Sequence, residues 1–156
     1  MHWKVKMFGL MRHRWIEGAI GWQDVQRLVD ELSGGNTTGA VQLFVGQVRA
    51  DVVDGKVVRS IVYSCYRELA DRVLDRLIDE ARSRFGLQAV GVLHSVGEVE
   101  VGQWSVAVCC CAAHRKSTME AVQWIMDKLK REVPIFGREV FVDEGYRWKK
   151  SEVHTS

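Results

Sequence analysis

The chain's 156 residues predict an α+β fold with a mainly antiparallel sheet. Three observations support this. Helical periodicity is confined to three stretches, strand-sized apolar runs fall between them mostly in pairs, and a single proline leaves no sign of an unstructured connector. Strand pairs between helices favour antiparallel pairing, since a parallel sheet needs a crossover after every strand. The length suits one domain across residues 1–156, large enough to bury a real core.

Taken in order, residues 3–8 (WKVKMF) alternate apolar and polar and predict a strand, with 14–20 as a second extended piece. Trp22, Val25, Leu28, Val29 and Leu32 give a helical face that the glycines of Ser33-Gly34-Gly35-Asn36 close. Residues 39–49 (GAVQLFVGQVR) read as a largely buried strand, with Gly46 marking a bulge and Arg49 emerging at its end. Asp54-Gly55 signals a turn within 51–56, and 57–65 forms the returning strand.

Leu69, Ala70, Val73, Leu74, Leu77, Ile78 and Ala81 define an amphipathic helix ending near Phe85-Gly86, its charged face solvated. Strands at 89–96 and 104–112 follow, joined by a turn region at 97–102. Ser117 and Glu120 then resemble a capping box, and Met119, Val122, Met126 and Leu129 mark the apolar face of a helix over 117–131. Pro134 stops it, and a last strand is expected at about 139–142.

Composition narrows the function. Lys and Arg number 22 against 20 Asp and Glu, so no bulk basic charge invites nucleic acid. No apolar run approaches the roughly 20 residues that span a bilayer. The first fifteen residues lack the apolar core of a signal peptide, so a cytoplasmic location is expected. Cys65, Cys109, Cys110 and Cys111 fit neither a metal knuckle nor a disulfide framework, and read as small buried hydrophobes. On a strand Cys109 and Cys111 face one way and Cys110 the other. His94, within an apolar strand, reads as a hydrogen-bonded core histidine. With no HExxH and no phosphate loop, neither a metal nor a cofactor is expected.

What chemistry remains is cationic. His114, Arg115 and Lys116 precede a helix N-terminus, where unpaired N–H groups and the dipole favour an anion such as phosphate. Arg49, Lys130 and Arg138 stand at other element ends and can grip a phosphate, while a lysine amine can act as acid, base or nucleophile. A structural alternative exists, because cations in a last helical turn also complement the dipole. Lys130 lies sixteen positions after His114, roughly 20 Å along a helix, so one small substrate reaches both only if two copies of the chain share the site.

Seven segments in order, FVGQVR (44–49), YSCYR (63–67), HSVGEVEVG (94–102), AAHRKSTMEA (112–121), IMDKLK (125–130), PIFGRE (134–139) and GYRW (145–148), resemble the catalytic, large subunit of molybdopterin synthase over about 15–150. The resemblance implies an α/β hammerhead with an additional mainly antiparallel β subdomain. It also implies a homodimer flanked by two small ubiquitin-like sulfur-carrier subunits, a heterotetramer. The carrier's C-terminal Gly-Gly thiocarboxylate would give sulfur to cyclic pyranopterin monophosphate, twice, forming the molybdopterin dithiolene and opening the cyclic phosphate.

By position, Lys130 matches the catalytic amine, and Gln47, Val48 and Arg49 match the phosphate pocket. His114 and Arg115 would come from the neighbouring chain, and Gly137, Arg138 and Glu139 match a substrate-contacting segment. Gly137 departs from the pattern, standing where the resemblance implies a second functional lysine; Lys128, Arg131 and Arg138 are the candidates to replace it. The alternative is a noncatalytic dimeric scaffold that binds the carrier or a phosphorylated ligand.

Overall fold

In the computed structural model, which describes residues 10–143 and 145–149, one long strand ties two sheet halves together. The order is β1 (Leu10–Glu17), α1 (Trp22–Leu32), β2 (Ala40–Gln47), β3 (Val52–Val53), β4 (Lys56–Cys65), α2 (Arg67–Phe85), β5 (Ala89–Glu100), β6 (Trp104–Ala112), α3 (Arg115–Glu132), β7 (Ile135–Phe141) and β8 (Tyr146–Trp148). The strand expected at 3–8 lies outside the described residues.

The first part of β5 lies between β1 and β6, and its last residues pair with β4, giving the path β2-β6-β5-β4-β7-β8 with β1 beside β5 and β3 beside β4. All of these pairings are antiparallel except β1 with β5, so the predicted class holds with one parallel exception.

Alternation along β6 sorts its side chains between two cores. Val106, Val108, Cys110 and Ala112 pack with α2 and α3, whereas Ala107, Cys109 and Cys111 pack with α1 on the opposite face. The three cysteines are free and fully buried, and they split between the faces as the period of two requires. Burial pushes the Cys110 thiol up to about 12. Leu74, Leu77 and Ile78 of α2 are buried against the first core, each contributing about 1.5–3 kcal/mol of hydrophobic stabilisation. Val48, Val58, Ile61, Val99 and Phe141 form a third core under the antiparallel half. Among the described residues no helix is long and apolar enough to cross a membrane.

Several expectations are corrected. The final helix begins at Arg115, with His114 as its extended N-cap, and not at a Ser117 cap. Thr118 Oγ1 donates to the Arg115 carbonyl at 2.8 Å, which places these residues inside the first turns. The buried stripe is Thr118, Ala121, Val122, Ile125 and Leu129, leaving Met119 exposed.

β2 is not largely buried. It ends the sheet path and, among the described residues, pairs only with β6, so Val41 and Phe44 remain exposed. Finally, β5 runs on through Glu100, shortening the expected 97–102 turn, and the last strand starts at Ile135 and is followed by β8. The Asp54-Gly55 signal does make a hairpin turn, between β3 and β4, with both residues at positive φ.

Candidate functional site

A cavity of about 730 Å³ opens where the antiparallel half meets the end of α3. That volume lies within the range of small-molecule sites. Separate parts of the chain build its walls. The β2–β6 register shifts between Gly46 and Gln47, and a Cβ on Gly46 would come within 2.5 Å of Val106 Cγ1, so any larger residue there would force the Val106 side chain to move. Beyond that irregularity, Gln47, Val48 and Arg49 line the cavity. The last turn of α3, halted before Pro134, contributes Lys130 and Arg131. Gly137 and Glu139 of β7 complete the wall.

Of the sequence-predicted residues, the structure thus brings together Gln47, Val48, Arg49, Lys130, Gly137 and Glu139. Val48 is buried, while Gln47, Arg49 and Lys130 are exposed. Arg138 falls on the other face of β7, its guanidinium 5.0 Å from the centre of the Tyr146 ring, because strand neighbours alternate. His114 and Arg115 stand exposed at the opposite end of α3, a full helix length from Lys130 and off this chain's cavity wall.

Three carboxylates on the wall are already engaged by cations. Arg49 Nε lies 3.4 Å from Asp51, Arg147 Nε 3.1 Å from Glu139, and Arg76 and Lys128 hold Glu132 at 3.1 and 3.3 Å. Burial works to raise the pKa of Glu132, but hydrogen bonds from Arg76 and Lys128 prevail and hold it below the usual carboxylate range. On the wall itself Arg49, Lys130, Arg131 and Lys149 stand against Asp51, Glu132 and Glu139, an excess of positive charge suited to an anion.

The floor was not recognised in the sequence as part of a site. Tyr63, His94 and Ser105 line it. The Tyr63 hydroxyl donates to Ser105 Oγ at 3.3 Å, and its ring meets His94 edge-on with centroids 5.2 Å apart. Burial raises the Tyr63 pKa. His94 Nδ1 lies 2.8 Å from the Ser95 carbonyl, which can only accept, so Nδ1 carries the proton and Nε2 of the neutral ring is an acceptor. Burial lowers this histidine to about 4, which keeps it neutral near pH 7. The sequence reading of His94 as a hydrogen-bonded core histidine holds; its place on the cavity floor is what the sequence concealed. Lys149, just past β8, also lines the cavity, and no sequence motif points to it.

Comparison with known proteins follows the same lines. The MoaE protein family profile matches residues 19–132. A molybdopterin synthase catalytic subunit from Pyrococcus abyssi is 36% identical over 123 residues, 79% of this chain and 82% of that protein. Molybdopterin synthase catalytic subunit 1 of Aedes aegypti is 35% identical, over 80% of this chain and 81% of its own. Among solved structures, molybdopterin synthase from Staphylococcus aureus superposes with a TM-score of 0.75 at 23% identity, covering 94% of this chain and 99% of that one. The complex of subunits 1 and 2 of molybdopterin-converting factor from Helicobacter pylori gives 0.76 at 22% identity, covering 91% and 92%. These structural likenesses establish the shared fold.

Proposed function

Since the chain belongs to the MoaE family of molybdopterin synthase catalytic subunits, we propose that it moves sulfur from a carrier protein's C-terminal thiocarboxylate to cyclic pyranopterin monophosphate. Its role is that of a biosynthetic transferase in the making of the molybdenum cofactor. The observation that carries the finer reading is the meeting of Lys130, Arg49 and Glu139, from three separate segments, around one cavity.

In this reading Arg49 takes the substrate phosphate by charge-assisted hydrogen bonds, beside Gln47 and Val48. Lys130 supplies the amine next to the reacting carbons, and Gly137 and Glu139 form the wall behind them. The carrier's Gly-Gly tail enters the cavity and its thiocarboxylate sulfur bonds to a side-chain carbon of the pterin as a carbon–oxygen bond there breaks. The oxygen leaves as water in one transfer and with the opened phosphate in the other. Water then cleaves the acyl–sulfur bond, so the sulfur stays on the pterin and the tail leaves as a carboxylate. A second transfer completes the dithiolene.

His114 and Arg115 of a second copy close the phosphate site, so the working assembly is a homodimer with a carrier on each flank, acting in the cytoplasm. Exposed cations at a helix N-terminus that stands off this chain's own cavity support this arrangement.

Gly137 favours a second reading, a noncatalytic scaffold that keeps the carrier or a phosphorylated ligand. Incubation of the purified protein with thiocarboxylated carrier and cyclic pyranopterin monophosphate separates the two. A synthase forms dithiolene and loses about 10²–10⁴-fold of that rate in Lys130→Ala with fold and dimer retained. A wild-type protein that forms none, or a Lys130→Ala variant as fast as wild type, refutes the catalytic reading.

A further inference from the structure

We propose that Lys149 is a second anion-binding cation of the cavity, occupying the place that the glycine at 137 leaves open. The inference rests on the reading above for the identity of the substrate, while the anion site itself can be tested without it. The register of β7 with β8 supplies the first argument. Val140 faces Tyr146, Glu139 faces Arg147 and Arg138 faces Trp148. One step further the strands still hold together, because the Lys149 amide donates to the Gly137 carbonyl at 2.8 Å. Lys149 is therefore pinned directly across from Gly137.

Alternation supplies the second. Residues opposite one another in an antiparallel pair share a face, so Arg147 and Lys149 lie on the side of Glu139 and Gly137. Arg147 uses that side to reach Glu139 at 3.1 Å, and Lys149 lines the cavity with Gly137. On the other side, Arg138 is stacked on Tyr146.

The glycine supplies the third. A Cβ at position 137 would lie 3.0 Å from Ile61 Cγ2 and 3.4 Å from Tyr63 Cε1, so a side chain at 137 would press those neighbours back by a few tenths of an ångström, whereas glycine leaves the surface above them clear. With hydrogen alone at 137, the cross-strand lysine has room to lie along the wall. Of the other candidates, Arg131 also lines the cavity but from the last turn of α3, and Arg138 stacks on Tyr146 on the far face of β7. Lys128 is 3.3 Å from Glu132 and 5.6 Å from the centre of the Trp124 ring, and Arg147 is held by Glu139. Lys149 thus adds an ammonium to the same wall as Arg49 and Lys130, a set suited to a phosphate group.

Titration calorimetry of the full chain with inorganic pyrophosphate tests this. Lys149→Ala weakens binding about three- to tenfold, the lower figure reflecting solvent screening of an exposed side chain. Lys149→Arg keeps most of the affinity, and Gly137→Lys added to Lys149→Ala recovers it. In the sulfur-transfer assay Lys149→Ala raises KM for the pterin with kcat little changed, a split that a purely structural role does not produce.

No saturable binding by wild type, or equal affinity in wild type and Lys149→Ala, overturns the proposal. The Lys149→Ala and Lys149→Arg pair decides the matter even where the double variant fails to fold. A wild type that binds pyrophosphate through Lys149 yet makes no dithiolene leaves this site standing and removes the synthase reading.

Discussion

At its last turn α3 presents Lys130 and Arg131 to a cavity walled by the end of β2, by β4 and by β7. At its first turn the same helix leaves His114, Arg115 and Lys116 exposed, with no comparable walls among the described residues. The side chains are chemically alike and the surroundings differ. The last turn owes its site to packing, because Ile125 and Leu129 hold the helix against the sheet while Pro134 turns the chain away. The first turn has unpaired N–H groups and the positive end of the dipole, a ready anion end that lacks a container. In the proposed dimer, two-fold pairing would give each cavity the anion end of the other copy.

Removing one end at a time sharpens this contrast. The largest effect is the loss on Lys130→Ala described above. Next, Arg49→Ala raises the pterin KM by about 10- to 100-fold, because one charge-assisted contact to phosphate contributes about 1.5–3 kcal/mol. The measurement is initial rate against substrate concentration, and an unchanged KM removes Arg49 from the phosphate site. Thermal unfolding of the Arg49 and Lys130 variants stays within about 0.5 kcal/mol of wild type, since both side chains are exposed.

The floor predicts a pH effect on stability. Folded His94 titrates at about 4 and the unfolded residue at 6.5, so between these values the unfolded chain binds more protons. Stability from this residue is complete above pH 6.5 and declines as pH falls toward 4, by up to about 3 kcal/mol. Denaturant melts at pH 7 and pH 4.5 show that loss in wild type and a flatter profile in His94→Gln. Equal slopes in the two proteins contradict the assignment.

The smallest effect is one of reactivity. Cys109, Cys110 and Cys111 resist iodoacetamide in the native protein, while the half-buried Cys65 reacts slowly. Rapid modification of the consecutive three by mass spectrometry means that the two cores they join are open.

Much of the fold could be read in advance wherever a single period governs the residues. The helix of Leu74, Leu77, Ile78 and Ala81 was plain because one face is apolar and Gly86 ends it in the left-handed region. The cysteine strand sorted its faces by period alone. Other features depend on distant partners. β1 pairs with β5 in parallel across more than seventy residues, and nothing local in Arg12, Arg14 or Glu17 specifies that. β2 looks like an interior strand by composition, yet its exposure follows from its place at the end of the sheet.

Within the site, motif order found Lys130 and Arg49, and strand alternation separates Arg138 from its neighbours once β7 is known to be a strand. Tyr63 opens the YSCYR segment but had no role assigned to it, and Ser105 and Lys149 carried no signal, because only the folded sheet brings β4, β6 and the end of β8 to the same hollow. The Ser117 signal misled, since a serine followed by a glutamate three residues later also occurs inside a helix.

The most direct measurement mixes two inactive proteins, His114→Ala and Lys130→Ala, under conditions that exchange subunits. If each cavity joins Lys130 of one copy to His114 of the other, half of the randomly paired dimers are mixed and carry one intact site, so dithiolene formation returns to about a quarter of the wild-type rate. Continued inactivity of a mixture shown by native mass spectrometry to contain mixed dimers contradicts the shared site.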